Sequence, residues 1–181
     1  MNLVELRKIS PNIRLEVLYA TSKNFTGRAV YSSPKVYLLR QTAKRLHRVQ
    51  LALEQKGLGL KVYDGYRPFS VQKLFWELVP NPKYVADPAQ GSRHNRGASV
   101  DVTLVDRQGN DLPMPTPFDE FSERAHRSYQ GCSQQEAQCR ELLGAAMDAE
   151  GFIPYPEEWW HFDDPDWERY PVLDIPFEEL K

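Results

Sequence analysis

The sequence predicts one domain that mixes strands with helices, and three observations lead there. Two stretches alternate apolar and polar residues with the period of a half-buried strand, and several longer ones carry apolar residues at helical spacing. Gly, Pro and Ser punctuate these stretches where elements should start or stop. A chain of 181 residues can bury one sizeable core but is short for two. With 41% hydrophobic and 27% charged residues, the composition is that of an ordinary globular protein, not of a disordered or membrane-spanning one.

Taken in order, Ile13, Leu15, Val17 and Tyr19 alternate with Arg14, Glu16, Leu18 and Ala20, which predicts a strand. Lys23 to Gly27 reads as a turn. After Pro34, the residues Val36, Leu39, Ala43, Leu46, Val49 and Leu53 share one side of a helix expected from Lys35 to Lys56, with Gly57 as its cap. His47 lies among basic residues of this helix and reads as a partly exposed helix histidine. Leu58 to Tyr63 is β-prone and runs into Asp64-Gly65-Tyr66-Arg67-Pro68. Proline denies the residue before it a helical conformation, so Arg67 sits on a stiff corner at a strand end. The corner alone leaves open whether Arg67 is a surface residue, an ion-pair partner of Asp64 or a functional cation.

Ser70 to Val79 reads as a second helix, stopped by Pro80-Asn81-Pro82, and Pro88 to Gly97 reads as loop. From Ser99 to Val105 alternation returns, with Val100, Val102 and Leu104 on one face and Ser99, Asp101 and Thr103 on the other. Asp106 to Asn110 is a hairpin-like turn. A proline-rich stretch, Leu112 to Phe118, leads into the charged, helix-prone segment Asp119 to Arg127. Ser133-Gln134-Gln135-Glu136 is a capping box that opens a helix to about Ala149, which Gly151 ends. Phe152 to Asp163 is aromatic-rich, interrupted by Pro154 and Pro156, and ends as a strand. The tail from Pro165 is expected to wrap the surface.

The totals also exclude. A net charge of −2 gives no electrostatic basis for nucleic-acid binding. No run approaches the roughly 18 apolar residues that a membrane span requires. Met1 to Lys8 lacks the long apolar core of a secretory leader, so the expected compartment is the cytoplasm. Cys132 and Cys139 match no zinc-thiolate spacing and are expected to stay reduced there. Oligomeric state leaves no trace in the sequence.

Chemistry concentrates in two short segments, Ser92-Arg93-His94-Asn95-Arg96-Gly97-Ala98-Ser99-Val100-Asp101 and Glu158-Trp159-Trp160-His161. A catalytic zinc site needs three protein ligands, an open position for water and a base beside that water. His94, Asp101 and His161 can supply the ligands, leaving Glu158 as the base. Gly97 lets the backbone fold back so that ligands seven residues apart converge. One difficulty is geometric: on a straight strand, residues three apart face opposite ways, so Glu158 and His161 need a bulge or turn between them. Trp159 and Trp160 are expected to pack on either side and exclude solvent. Taken singly, each feature has a plain reading, since His-carboxylate pairs are common on surfaces and Trp-Trp pairs in cores. His126 is the rival ligand but lacks a glycine or aromatic frame.

With these residues in view, the chain resembles the D-alanyl-D-alanine dipeptidases, zinc enzymes of vancomycin resistance and bacterial dipeptide use (peptidase family M15). The resemblance runs from about Arg14 to the tail. It rests on Tyr19, Asn24-Phe25-Thr26-Gly27, Asp64 to Pro68, Ser92 to Asp101, Phe118-Asp119, Glu123-Arg124, Glu136-Ala137 and Glu158 to His161. It implies one Zn2+ held by His94, Asp101 and His161, with Glu158 as general base and acid. It further implies Arg67 on the scissile carbonyl, Ser92 and Tyr19 as pocket residues, and Asp119 as partner of the dipeptide's ammonium. Arg93 and Ser99 depart from the family pattern, which would put small residues there. The implied fold is α+β, a mostly antiparallel central sheet with helices around it and the zinc on the sheet face, as in the hedgehog domain and the D,D-peptidases. The implied reaction is hydrolysis of free D-Ala-D-Ala. Two other activities stay open on this fold: a peptidoglycan-stem carboxypeptidase or endopeptidase, and a zinc-stabilised binding domain without turnover. Glu158 and Arg67 favour catalysis, because neither is needed merely to hold a metal.

Overall fold

A computed structural model describes residues 2–180 of the chain. In chain order the elements are β1 (Leu3–Glu5), α1 (Leu6–Ile9), β2 (Arg14–Leu15), β3 (Tyr37–Leu39), α2 (Arg40–Glu54), β4 (Leu58–Asp64), α3 (Phe69–Leu78), β5 (Ser99–Asp106), α4 (Gln134–Asp148), β6 (Ile153–Pro154) and β7 (His161–Asp163). Five strands form one sheet in the order β2-β4-β5-β7-β6, and only the β2–β4 pair is parallel. β1 and β3 make a separate antiparallel pair. The architecture is the expected α+β arrangement with a mostly antiparallel sheet.

The two faces of β5 divide the labour as its alternation predicts. Val100, Val102 and Leu104 are fully buried, and the last two lie opposite Val62 and Leu60 of β4. Ala43, Leu46, Val49 and Leu53 of α2 and Leu143 and Met147 of α4 join them in one hydrophobic core. Each such side chain contributes about 1.5–3 kcal/mol by leaving water. The other face carries Ser99, Asp101 and Thr103, also buried but among polar partners.

A bulge between Val62 and Asp64 decides what stands next to Asp101. One extra residue in β4 places Asp64, not Tyr63, opposite Asp101. Asp101 in turn lies opposite His161 of β7. Asp64, Asp101 and His161 thus form a row across three strands. Bulges commonly re-aim a side chain beside a functional site in this way.

Several boundaries differ from the sequence reading. Burial alternates from Ile13 to Tyr19 as predicted, but only Arg14 and Leu15 pair with β4, and Leu18–Ala20 tightens into a 3-10 turn. Asn24 organises this exit: its Nδ2 donates to the Leu18, Thr21 and Arg28 carbonyls, while its Oδ1 accepts from Thr26. The helix expected from Lys35 begins at Arg40, because Tyr37–Leu39 are claimed by pairing with β1. Gly57 follows it at φ +74, as a left-handed cap should. The Ser133 capping box is present in both directions, Glu136 N to Ser133 Oγ at 3.2 Å and Ser133 N to Glu136 Oε2 at 2.7 Å.

The Asp119–Arg127 segment forms only a 3-10 turn at Glu123–Ala125 instead of a helix. Its backbone is spoken for elsewhere, since Trp159 N donates to Ala125 O at 3.0 Å. The tail does more than wrap the surface. Phe177 is buried against Tyr31, Tyr37 and Tyr66, with ring centroids 4.6, 5.8 and 6.3 Å away.

Candidate metal centre

Three backbone-directed hydrogen bonds stitch the Asp64–Pro68 corner to the Ser92–Asp101 segment. Arg67 N donates to His94 O (3.1 Å), Asn95 Nδ2 to Arg67 O (2.9 Å), and His94 Nδ1 to Gly65 O (2.7 Å). Gly65 is required there. A Cβ at that position would lie 2.7 Å from Val36 Cγ1 and 2.8 Å from Tyr37 O. Gly97, at φ +66, lets the chain reverse after His94 and enter β5.

On the other segment, Glu158 precedes β7 in a turn, with His161 N donating to Glu158 O at 3.4 Å. The turn resolves the facing problem: Glu158 Oε2 comes within 3.8 Å of His161 Nδ1. Trp159 and Trp160 do not flank the site as expected. They meet edge to face at 5.3 Å, Trp160 lines the cavity, and Trp159 donates to Thr116 Oγ1 at 2.9 Å.

The hydrogen-bond partners settle which imidazole nitrogens are free. His94 spends Nδ1 on a carbonyl, leaving a lone pair on Nε2. His161 Nε2 lies 2.8 Å from Asp163 Oδ1, leaving a lone pair on Nδ1. These two nitrogens face each other at 3.1 Å, with Asp101 Oδ1 3.1 Å from His161 Nδ1 and Oδ2 3.4 Å from His94 Nε2. Three buried lone-pair donors this close repel one another, and a cation among them would relieve that repulsion. Tetrahedral zinc with bonds of about 2.0–2.1 Å separates its ligand atoms by roughly 3.3 Å, so the donor set fits. Among the described residues this is the only such group found, all its ligand atoms lying within 4.8 Å of one another. Despite burial, Asp163 and Asp101 push the His161 imidazolium up to about 10, so a proton can hold the place of a cation. His126 and His47 lie outside the group. The first contacts Tyr84 at 3.4 Å and the second Ser10 at 3.1 Å.

Across a cavity of about 590 Å³ lies the second half of the site. Arg67, only 7% exposed, donates through Nε and Nη2 to Asp64 Oδ2 (3.1 and 2.8 Å) and through Nη1 to Gln72 Oε1 (2.9 Å). Tyr31 OH braces Asp64 from behind at 2.9 Å. The ion-pair reading of Arg67 is therefore correct, and the same guanidinium also lines the cavity. Tyr19 OH donates to Asp119 Oδ2 at 2.7 Å, and Asp119 holds a left-handed backbone at φ 61 that non-glycine residues rarely adopt. Burial pushes its carboxyl up to about 8. Burial likewise raises the Glu158 carboxyl well above the usual range, with Asp101 and Asp119 adding to the shift against the opposing His161 charge.

The structure brings all eight sequence-derived candidates to this one cavity: Tyr19, Arg67, Ser92 and His94 with Asp101, Asp119, Glu158 and His161. Ser92 Oγ also accepts from His94 N (3.2 Å), so it shapes the turn that carries the ligand. Sequence reasoning missed Asn95, Gln72 and Asp163. Asp163 had a legible signal, two residues past His161 on the same strand face; Gln72 had none.

A buried donor set that could hold a metal ion, with a carboxylate on one side and a fixed guanidinium on the other, is the layout expected of a zinc metallopeptidase. The chain belongs to the D-Ala-D-Ala dipeptidase family of M15 peptidases, whose pattern matches residues 1–179. It is 38% identical to a D-alanyl-D-alanine dipeptidase of Escherichia coli K12, over 94% of this chain and 89% of that protein. It is 32% identical to the D-alanyl-D-alanine dipeptidase of Enterococcus faecium, over 87% and 88%. In fold it is similar to the LD-carboxypeptidase LdcB, with a TM-score of 0.51 and 18% identity over 99% of this chain and 78% of that one.

Proposed function

We propose that the protein cleaves free D-Ala-D-Ala to two D-alanines in the cytoplasm, with His94, Asp101 and His161 holding one zinc ion. The observation that carries this reading is the facing of three lone-pair donors 3.1–3.4 Å apart, with Glu158 beside them and Arg67 in the same cavity. Zinc in that position supplies a Lewis acid that brings the acidity of water near neutral pH. Glu158 takes the proton of the attacking water on its carboxylate and later gives it to the nitrogen of the departing D-alanine. The C–O bond forms first, moving the carbonyl electron pair onto its oxygen, and the C–N bond breaks when that pair returns and the nitrogen takes the proton.

Arg67 stabilises the negative charge growing on the scissile carbonyl oxygen. Its two bonds to Asp64 and one to Gln72 leave further N–H groups for that oxygen, held in place before substrate arrives. Asp119, with Tyr19 bonded to it, receives the substrate's ammonium, and Ser92 lines the pocket beside the metal. A buried carboxyl that gives up its proton to pair with the ammonium selects free dipeptides over blocked or longer peptides. The two cysteines are free thiols and are compatible with a reducing compartment. No helix among the described residues is long and apolar enough to cross a membrane.

The test is a panel of D,D, L,D and N-acetylated dipeptides on protein of measured zinc content. The expected result is one zinc per chain and cleavage confined to the unblocked D,D form. Equal rates on N-acetylated substrate would overturn the role of Asp119 and point to a carboxypeptidase.

A further inference from the structure

Behind His161, on the side away from His94 and Asp101, stands a carboxylate that the mechanism does not use. Asp163 is 2% exposed and takes three hydrogen bonds. His161 Nε2 reaches its Oδ1 at 2.8 Å, Ser99 Oγ donates to Oδ1 at 2.7 Å, and Arg93 Nη1 donates to Oδ2 at 2.8 Å. The strand register makes this arrangement systematic. Ser99 lies opposite Asp163 just as Asp101 lies opposite His161, so the two pairs are successive rungs on one face of the β5–β7 ladder. Arg93 directly precedes His94, and its guanidinium lies 4.6 Å over the Trp167 ring. Arg93 and Ser99 therefore both end on the same carboxylate.

We propose that Asp163 is a positioning residue for the metal centre and that Arg93 and Ser99 lock it. Asp163 keeps the His161 proton on Nε2, so that Nδ1 faces the ion with its lone pair. Arg93 couples the His94 segment to the β7 segment through that same carboxylate, so neither ligand can rotate independently. The inference rests on the ligand set proposed above. A partner of this kind at a zinc-bound histidine is typically worth about 10–100-fold in metal affinity.

The experiment measures zinc dissociation constants by chelator competition, together with the visible spectrum of the cobalt-substituted protein. Asp163→Ala should weaken zinc about 10–100-fold and alter the cobalt spectrum. Asp163→Asn, which keeps shape and an acceptor oxygen, should lose less and serves if the alanine variant does not fold. Arg93→Ala and Ser99→Ala should each weaken zinc a few-fold, and Arg93→Ala should add no further loss in the Asp163→Ala background. Wild-type affinity and spectrum in the Asp163 variants would overturn the proposal, as would an Arg93→Ala variant whose only change is a raised KM. His161→Ala separates the two readings. If it loses zinc while Asp163 variants do not, only this inference fails; if it binds zinc normally, the ligand set falls with it.

Discussion

The two walls of the cavity are built by different means. On the metal wall, Asp101 and His161 are set by strand register, and His94 is held by a main-chain carbonyl and a glycine turn. On the facing wall, Arg67 and Asp119 are fixed by other side chains: Asp64, Gln72 and Tyr31 for the first, Tyr19 for the second. Register fixes where the metal-wall residues stand, and Asp163 then fixes how the His161 ring is turned. Side-chain-built geometry is only as rigid as its weakest hydrogen bond. The facing wall should therefore be the one whose variants lose rate while keeping the metal.

The largest effect is expected from Glu158→Ala, beside the metal wall, which removes the proposed proton carrier but none of the three donors. Turnover should fall by about 10²–10⁴-fold with zinc content unchanged, read by steady-state kinetics and metal analysis. On the facing wall, Arg67→Ala should cost about 10²–10³-fold in kcat, again with zinc retained, and Gln72→Leu should cost less because Asp64 still holds two of the three bonds. Loss of zinc in Arg67→Ala or Gln72→Leu would break the comparison. Gly65→Ala strikes the seam between the walls. Its Cβ would meet Val36 Cγ1 at 2.7 Å and Tyr37 O at 2.8 Å, so thermal unfolding should show a loss of about 2–3 kcal/mol.

Asp119→Asn probes the facing wall by pH. The folded protein keeps the Asp119 proton up to about 8, whereas an unfolded aspartate ionises near 3.9. The folded state thus binds the extra proton in between, and this group's contribution falls as pH rises from about 4 to about 8. In zinc-free protein, Asp119→Asn should be the more stable of the two at pH 8, and the advantage should vanish near pH 4. Denaturant titrations at the two pH values check it. Smallest is Ser133→Ala, which removes the α4 cap far from both walls; about 1 kcal/mol of stability should go with no change in kcat/KM.

The same contrast explains what was legible in the sequence. The metal wall is encoded locally: a glycine, a strand alternation and two short segments name His94, Asp101, His161 and Glu158 before any coordinates. Residue spacing on β7 could also have named Asp163. The facing wall was legible only through family resemblance, since Tyr19 meets Asp119 across 100 residues of chain, and nothing in either segment announces the other. Gln72 sits on a helix whose apolar pattern hides one buried amide. The elements misplaced were those with tertiary claims on their backbone: Tyr37–Leu39, drawn out of a helical pattern by β1, and the 119–127 stretch, tied to the turn before β7.

The seating of Phe177 has a practical consequence. Its ring rests on Tyr31, whose hydroxyl holds Asp64, and on Tyr66, one residue from Arg67. The C-terminal segment works as a wedge driven in behind the arginine's mount. Trimming it, or hanging a purification tag from it, should loosen the mount of Arg67 from more than a hundred residues downstream.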